Sequence, residues 1–301
     1  MTIEVKAMQV GIIGAGAVGL LTAFYLSEQY HVTVYTKRQD QSKELIEQGI
    51  FLERDHEWYH ASILSKVDEV YSEPYLIIAV KQHQLAGIVD RLKNMPPKKL
   101  LFIQNGMAHV EYFSKLIHHQ IYVGVVEHGV VKKDDHKVIH RGVGQIKIAP
   151  YQPNLTEPLY SEYSTHTFFP IVKGAHWRDM LHSKLLVNSV VNPLTAMFGI
   201  RNGQLFQNYN FKVLSDSLFK EVIHLLELHQ VEEELYAYIQ GVCEKTALNH
   251  SSMLMDIKNS RQTEVDAILG YLIMLAKKKN IDSPIVHFCY YGIKGLEESR
   301  E

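Results

Sequence analysis

Residues 10–19 read VGIIGAGAVG, a short apolar run ending in Gly14-x-Gly16-x-x-Gly19, and the following LLTAFYLSEQ (20–29) carries helical spacing. Strand, glycine turn and helix in that order open a dinucleotide-binding fold. The first glycine makes the tight turn, the second lets the backbone approach a pyrophosphate, and the third lets the helix pack closely. The helix N-terminus supplies the anion site. Gly14, Ala15, Gly16, Ala17, Val18 and Gly19 are therefore the candidate nucleotide contacts. A glycine triplet alone occurs by chance; the strand before it and the helix after it give it meaning.

Working outward, the next strand, His31 to Tyr35, ends about where an NAD site places an acidic residue for the ribose 2′-hydroxyl. The chain offers Thr36, Lys37 and Arg38 there, with Asp40 slightly further on. A basic pair at that corner suits a 2′-phosphate, so the pattern favours NADP(H) over NAD(H); the alternative is a solvated basic turn. YLIIAV (75–80) and LLFI (100–103) read as strands buried on both faces of a parallel sheet. Lys81 and Gln84 follow the first, and Gln104, Asn105 and Gly106 the second, where open α/β sheets carry ligand-contacting groups. Asn105-Gly106 is also an ordinary turn signal. YVGVV and GQIKIAP, between Ile121 and Pro150, predict further strands closing this domain.

Beyond Phe168 to Ile171 the pattern becomes helical almost throughout, which divides the chain into a Rossmann-type domain (1–172) and an all-helical domain (173–301). The spacing predicts helices over Trp177 to Met197, Tyr209 to Gln240 and Ser252 to Lys279, and a last helix opened by Ser283 and Pro284. Asn192-Pro193 is expected to kink or interrupt the first. Within it, HSKLLVNSVVNPLTA (182–196) sets Lys184, Asn188 and Asn192 four residues apart, so each step turns by only about 40° and the three share one sector. With Leu and Val on most other positions, that sector either lines a cleft or forms a solvated stripe. Glu264, in RQTEVDAILGYL (261–272), has Arg261 three residues before it as a simple surface partner, and Ser252 is equally suited to capping a helix.

Composition narrows the function classes. With 301 residues, 46% hydrophobic, the chain can bury two cores, and a formal net charge of −2 gives no electrostatic case for nucleic acid or an anionic membrane. No apolar run approaches the roughly 20 residues of a membrane span and the first residues lack a signal-peptide core, so a cytoplasmic location is expected. Cys243 and Cys289 read as buried thiols, and the 17 histidines lack metal-ligand spacing, so no metal site is expected.

The blocks IGAGAVG, VKQHQ, QNGM, KLLVNSVVNPLTA, RNGQL, NHSSMLMDI and RQTEVDAILGYL follow one another over nearly the whole length. In this the chain resembles the ketopantoate reductase (2-dehydropantoate 2-reductase) family. The glycine loop is common to many dehydrogenases, whereas the K-x3-N-x3-N-P and S-S-M-x2-D-I…T-E-x-D blocks are specific. The resemblance implies a Rossmann-type domain followed by a helical domain like the C-terminal one of 6-phosphogluconate dehydrogenase. It also implies NADPH-dependent reduction of ketopantoate to pantoate, on the route to pantothenate and coenzyme A. By position, Lys184 matches the family's catalytic lysine, Glu264 its catalytic, substrate-binding glutamate, and Asn105 the asparagine near nicotinamide and substrate. Asn188, Asn192, Asn202 and Ser252 fall where the family contacts substrate, and Lys81 and Gln84 where it lines the cofactor. Ala108 replaces a frequent glycine, and Lys37 with Arg38 stands where a single arginine is common. Residues 1 to 7 precede the usual family start, which makes Met8 a second candidate initiator.

These residues suit the implied chemistry. Hydride added to the C2 carbonyl of a 2-keto acid leaves an alkoxide that needs a proton and a nearby positive charge, and Lys184 can supply both. Burial among Leu185, Leu186 and Val187 would lower its pKa while an ionised Glu264 nearby would raise it, a balance the sequence leaves open. Two other functions stay open at this stage: reduction of a different 2-keto acid, and a non-catalytic NADP(H) sensor. A homodimer is a further possibility, since an apolar helical face serves equally as core or interface.

Overall fold

A computed structural model describes residues 8–68, 70–155 and 166–299; the expected alternative start concerns residues 1–7, outside that set. The chain forms two compact units, one of residues 1–104 and 111–180, the other of residues 105–110 and 181–301. The division thus falls inside a helix, and the short segment that begins at Asn105 groups with the helical unit.

The first unit is built on β1 (Gln9–Ile13), α1 (Ala17–Leu26), β2 (His31–Tyr35), α2 (Gln39–Gln48), β3 (Ile50–Arg54), β4 (Glu57–Ala61), β5 (Leu64–Lys66), β6 (Tyr75–Ile78), α3 (Gln82–Leu92) and β7 (Lys99–Phe102). It continues with β8 (Gln120–Val126), β9 (Gly129–Lys132), β10 (Lys137–Gly142), β11 (Ile146–Pro150) and β12 (Ile171–Lys173). Eight strands form one sheet in the order β12-β11-β8-β7-β6-β1-β2-β5. From β5 to β8 every pair is parallel, and β11 adds antiparallel to β8. Strands buried on both faces explain the unbroken apolar runs: Val10, Ile12, Leu76, Ile77, Leu100 and Leu101 are all buried. Because β2 and β6 flank β1 on opposite sides, the strand order reverses at β1, and its C-terminal end is the switch point where α/β sheets take a ligand.

A second sheet, β4-β3-β10-β9, has no counterpart in the sequence reading. Its β3–β4 hairpin turns at Asp55 and His56, both with positive φ (54° and 67°). Such a turn normally announces itself through Asn or Gly, and His56 hides it.

The helical unit comprises the greater part of α4 (Trp177–Phe198), then α5 (Gln204–Gln207), α6 (Tyr209–Leu226), α7 (Glu232–Lys245), α8 (Ser252–Lys258), a π-helical turn (Asp266–Gly270), α9 (Tyr271–Lys279) and α10 (Pro284–Glu298). Three expectations are corrected. Pro193 does not interrupt α4; Val190, Val191 and Leu194 around it are at most 3% exposed, and their packing offsets the roughly 3 kcal/mol an internal proline costs. The helix expected over 209–240 is two, parted where Glu227 adopts the left-handed conformation and Leu228 N–H reaches back to Ile223 O at 3.1 Å. The helix expected over 252–279 stops at Lys258, and Ser260 (φ 50°) turns the chain before the π-helical turn begins.

Candidate active site

At the switch point the glycines divide their work as the motif requires. Gly14 has φ +114°, and a Cβ there would lie 2.9 Å from Val80 Cγ1; a Cβ on Gly19 would lie 2.0 Å from Gly14 O. Neither position admits a side chain. Gly16, at the N-cap of α1, would meet nothing within 4 Å and is exposed. That is the face on which a pyrophosphate needs the backbone bare, so the loop fits a dinucleotide. Ala15 O accepts a hydrogen bond from Gln41 Nε2 (3.1 Å), which ties the loop to α2. Lys81 is the N-cap of α3 and half-buried, with Gln84 exposed in that helix's first turn.

The corner after β2 is more nearly balanced in charge than its sequence suggests. Lys37 and Arg38 are both exposed, but Arg38 pairs with Asp40 (2.9 Å) and with Asp135. Asp135 sits in the β9–β10 turn and also accepts from Lys132 Nζ at 2.8 Å. Burial raises the Asp135 pKa, but hydrogen bonds and charge from Lys132 and Arg38 outweigh it and leave the carboxyl below the usual range.

In the helical unit, Lys184 and Asn188 are half-buried on α4 and Asn192 is buried, while Leu185, Leu186, Val190 and Val191 fill its other faces. Asn105 donates from Nδ2 to Glu264 Oε2 at 2.6 Å, joining residues 159 positions apart. The neighbouring Gly106 (φ +78°) makes this possible, since a Cβ there would lie 2.2 Å from Ala267 O in the π-helical turn. Such turns concentrate at functional sites, and here Ala267 N–H and Ile268 N–H both reach Glu264 O at 3.1 Å. Arg261, the simple surface partner, instead lies 3.7 Å from Asp256.

Sequence reasoning missed how α10 grips the segment carrying Glu264. Glu297 accepts from Thr263 N–H (2.7 Å), Lys294 bridges Glu297 (3.2 Å) and Asp266 (3.5 Å), and Tyr290 OH donates to Asp266 (2.8 Å). Burial raises the Glu297 pKa, but the Thr263 hydrogen bonds and Lys294 prevail and hold it low, so it stays ionised. Thr263 and Asp266 of the T-E-x-D block thus anchor the backbone on either side of Glu264.

Ser251 caps α8, accepting from Leu254 N–H (3.2 Å), and its hydroxyl lies 2.7 Å from that of Thr195 on α4; Ser252 beside it is exposed and is not the cap. Asn202 donates through Nδ2 to Thr246 Oγ1 (3.0 Å). Since the Thr246 proton serves Val242 O (2.7 Å), the Asn202 amide must present its N–H to Thr246, and its buried Oδ1 has no protein partner.

Two family models match, the ketopantoate reductase PanE/ApbA model over residues 10–153 and its C-terminal counterpart over 176–297. The chain belongs to the ketopantoate reductase family. Within it, a 2-dehydropantoate 2-reductase of Bacillus subtilis is 38% identical over 296 residues, covering 97% of this chain and 98% of its own. The crystal structure of a probable 2-dehydropantoate 2-reductase from that organism, also 38% identical, superimposes with a TM-score of 0.87, covering 96% of this chain and all of that one. A D-mandelate dehydrogenase solved with NADH and anilino(oxo)acetate shares the fold at 19% identity, with a TM-score of 0.84 over 97% of this chain and 99% of its own. The fold and its glycine loop are those of a nicotinamide-dinucleotide oxidoreductase. Among the described residues, no helix is long and apolar enough to cross a membrane.

Proposed function

We propose that the protein reduces ketopantoate (2-dehydropantoate) to (R)-pantoate with NADPH, in the cytoplasm, as a step of pantothenate and coenzyme A biosynthesis. Family membership at 38% identity over nearly the full chain carries the reaction, and the Asn105–Glu264 hydrogen bond carries the residue assignment. The nicotinamide, when bound, supplies the hydride that reaches C2 of the substrate. Gly14, Ala15, Gly16, Ala17, Val18 and Gly19 hold its pyrophosphate, Lys81 and Gln84 line its path, and Lys37 and Arg38 serve the 2′-phosphate.

Lys184 donates the proton that turns the nascent alkoxide into the product hydroxyl, and its ammonium charge stabilises that oxygen before transfer. Glu264 accepts a hydrogen bond from the substrate's terminal hydroxyl, with Asn105 fixing the carboxylate from the opposite oxygen. Asn188, Asn192, Asn202 and Ser252 hold the substrate's carboxylate and hydroxyl through neutral hydrogen bonds. Homodimerisation belongs to the same proposal: α6 exposes Tyr209, Val213 and Leu214. Light scattering of the purified protein reads that state directly.

The direct test of the chemistry is Lys184→Ala. Turnover falls by roughly a hundredfold or more, as for loss of a general acid, while NADPH affinity stays unchanged. Near-normal turnover in that variant removes Lys184 from the mechanism.

A further inference from the structure

The β9–β10 hairpin brings charged residues to the corner after β2 from a different sheet. Its turn is fixed at several points. Gln41, buried on α2, donates to both Ala15 O in the glycine loop (3.1 Å) and Asp135 O (2.9 Å). His136 Nδ1 lies 2.5 Å from Glu44 on the same helix, and Phe51 N–H bonds His136 O at 2.9 Å. Asp134 closes the turn by accepting from the N–H groups of His136 (3.1 Å) and Lys137 (2.8 Å). Asp135 is therefore held at a fixed distance from the nucleotide loop rather than hung from a loose tip.

The Asp135 carboxylate spans two cations, one oxygen toward Arg38 and the other 2.8 Å from Lys132 Nζ. An anion gripped between a guanidinium and an ammonium is the arrangement by which proteins bind phosphate. We propose that Asp135 and the 2′-phosphate of NADPH compete for Arg38 and Lys132, so that Lys132 is a second phosphate-binding cation and Asp135 restrains the preference for NADPH over NADH. This rests on the reading of the glycine loop as the dinucleotide site with Arg38 at the ribose. Asp40 and Glu44 add negative charge near Arg38, so Lys37, Arg38 and Lys132 are matched by three carboxylates. NADH, lacking the phosphate, leaves the Asp135 bridge in place.

Binding of NADPH and of NADH, followed by nicotinamide fluorescence in the wild type, Asp135→Asn and Lys132→Met, tests this. Asp135→Asn keeps the side-chain shape and removes one charge beside a doubly charged phosphate. It tightens NADPH by roughly five- to tenfold and leaves NADH within about twofold. Lys132→Met weakens NADPH by a similar factor, about five- to tenfold, again sparing NADH, and flattens the dependence of NADPH affinity on salt. NADH binding reports an intact glycine loop in each variant. Unchanged or weakened NADPH binding in Asp135→Asn would show that the carboxylate orients Arg38 or does nothing, and would overturn the competition. Unchanged NADPH binding in Lys132→Met removes the second cation. Failure of the wild type to bind either nucleotide would instead overturn the cofactor reading beneath.

Discussion

Gly106→Ala is the substitution that most sharply tests how the site is held together. A methyl group at this position would lie 2.2 Å from Ala267 O and 2.8 Å from Ala267 C, both backbone atoms that no rotamer change can move. Cβ atoms essentially never approach closer than 3.0 Å, so the 105–110 segment and the π-helical turn must separate by about 0.8 Å. Added to the 2.6 Å Asn105–Glu264 hydrogen bond, that displacement reaches about 3.4 Å, the outer edge of a hydrogen bond. The positive φ of +78° adds about 1–2 kcal/mol of strain for a residue with a Cβ. Misplacement on this scale costs roughly a hundredfold in kcat/KM, and the strain lowers Tm by about 2–3 °C in a chain of this length. Gly241→Ala on α7, where a Cβ meets nothing within 4 Å, is the control: it keeps full activity and gains slightly in Tm through helix propensity. The assays are NADPH oxidation with ketopantoate and a thermal melt. A folded Gly106→Ala enzyme within about twofold of wild-type kcat/KM would refute the claim that this contact positions Asn105 against Glu264.

Other expectations follow from the same geometry. In a double-mutant cycle of Asn105→Ala and Glu264→Ala, kcat/KM for ketopantoate shows a coupling of about 1.5–3 kcal/mol, the range of a hydrogen bond to a charged group; additive losses would mean the pair does not act together. Glu297→Gln weakens the acceptor for Thr263 N–H and the tie to Lys294, so it raises KM for ketopantoate while leaving NADPH affinity alone, and a loss of NADPH affinity would contradict that role. His109 is fully buried, which pushes its pKa down from 6.5 to about 3. The unfolded chain therefore takes up a proton that the fold refuses. Stability is fully present above pH 6.5 and declines as pH falls toward 3, by about 2 kcal/mol at pH 5 from this group alone. His119 and His140 are lowered in the same direction by burial and add to the slope. Denaturant melts of His109→Gln between pH 7 and 5 should lose about one proton's worth of that slope; an unchanged slope would show that His109 titrates alike in both states.

How much the sequence revealed depended on whether a local rule was at work. The glycine loop, β2, β6 and β7 were legible because buried parallel strands leave unbroken apolar runs and the loop has strict steric needs, as Gly14 and Gly19 show. The row on α4 was legible from its spacing, but its continuity through Pro193 was not, since tertiary packing there overrides a local breaker. Glu227 and Ser260 take left-handed conformations without the glycine that would have marked the helix ends. At the site, Glu264 had no local signature of its partner: Asn105 reaches it through a fold-level approach that only Gly106 hints at. Asp135 was hidden for the same reason, because its meaning comes from Arg38 at the start of α2, almost a hundred residues earlier in the chain.

Oxidation of NADPH by the purified protein, followed at the nicotinamide absorbance band, should be rapid with ketopantoate, much slower with pyruvate and 2-ketoisovalerate, and slower when NADH replaces NADPH. Equal rates across the 2-keto acids would move the assignment to a different or broader 2-keto acid reductase. NADPH binding with no reduction of any of them would contradict the catalytic account and leave a nucleotide-binding protein that performs no chemistry.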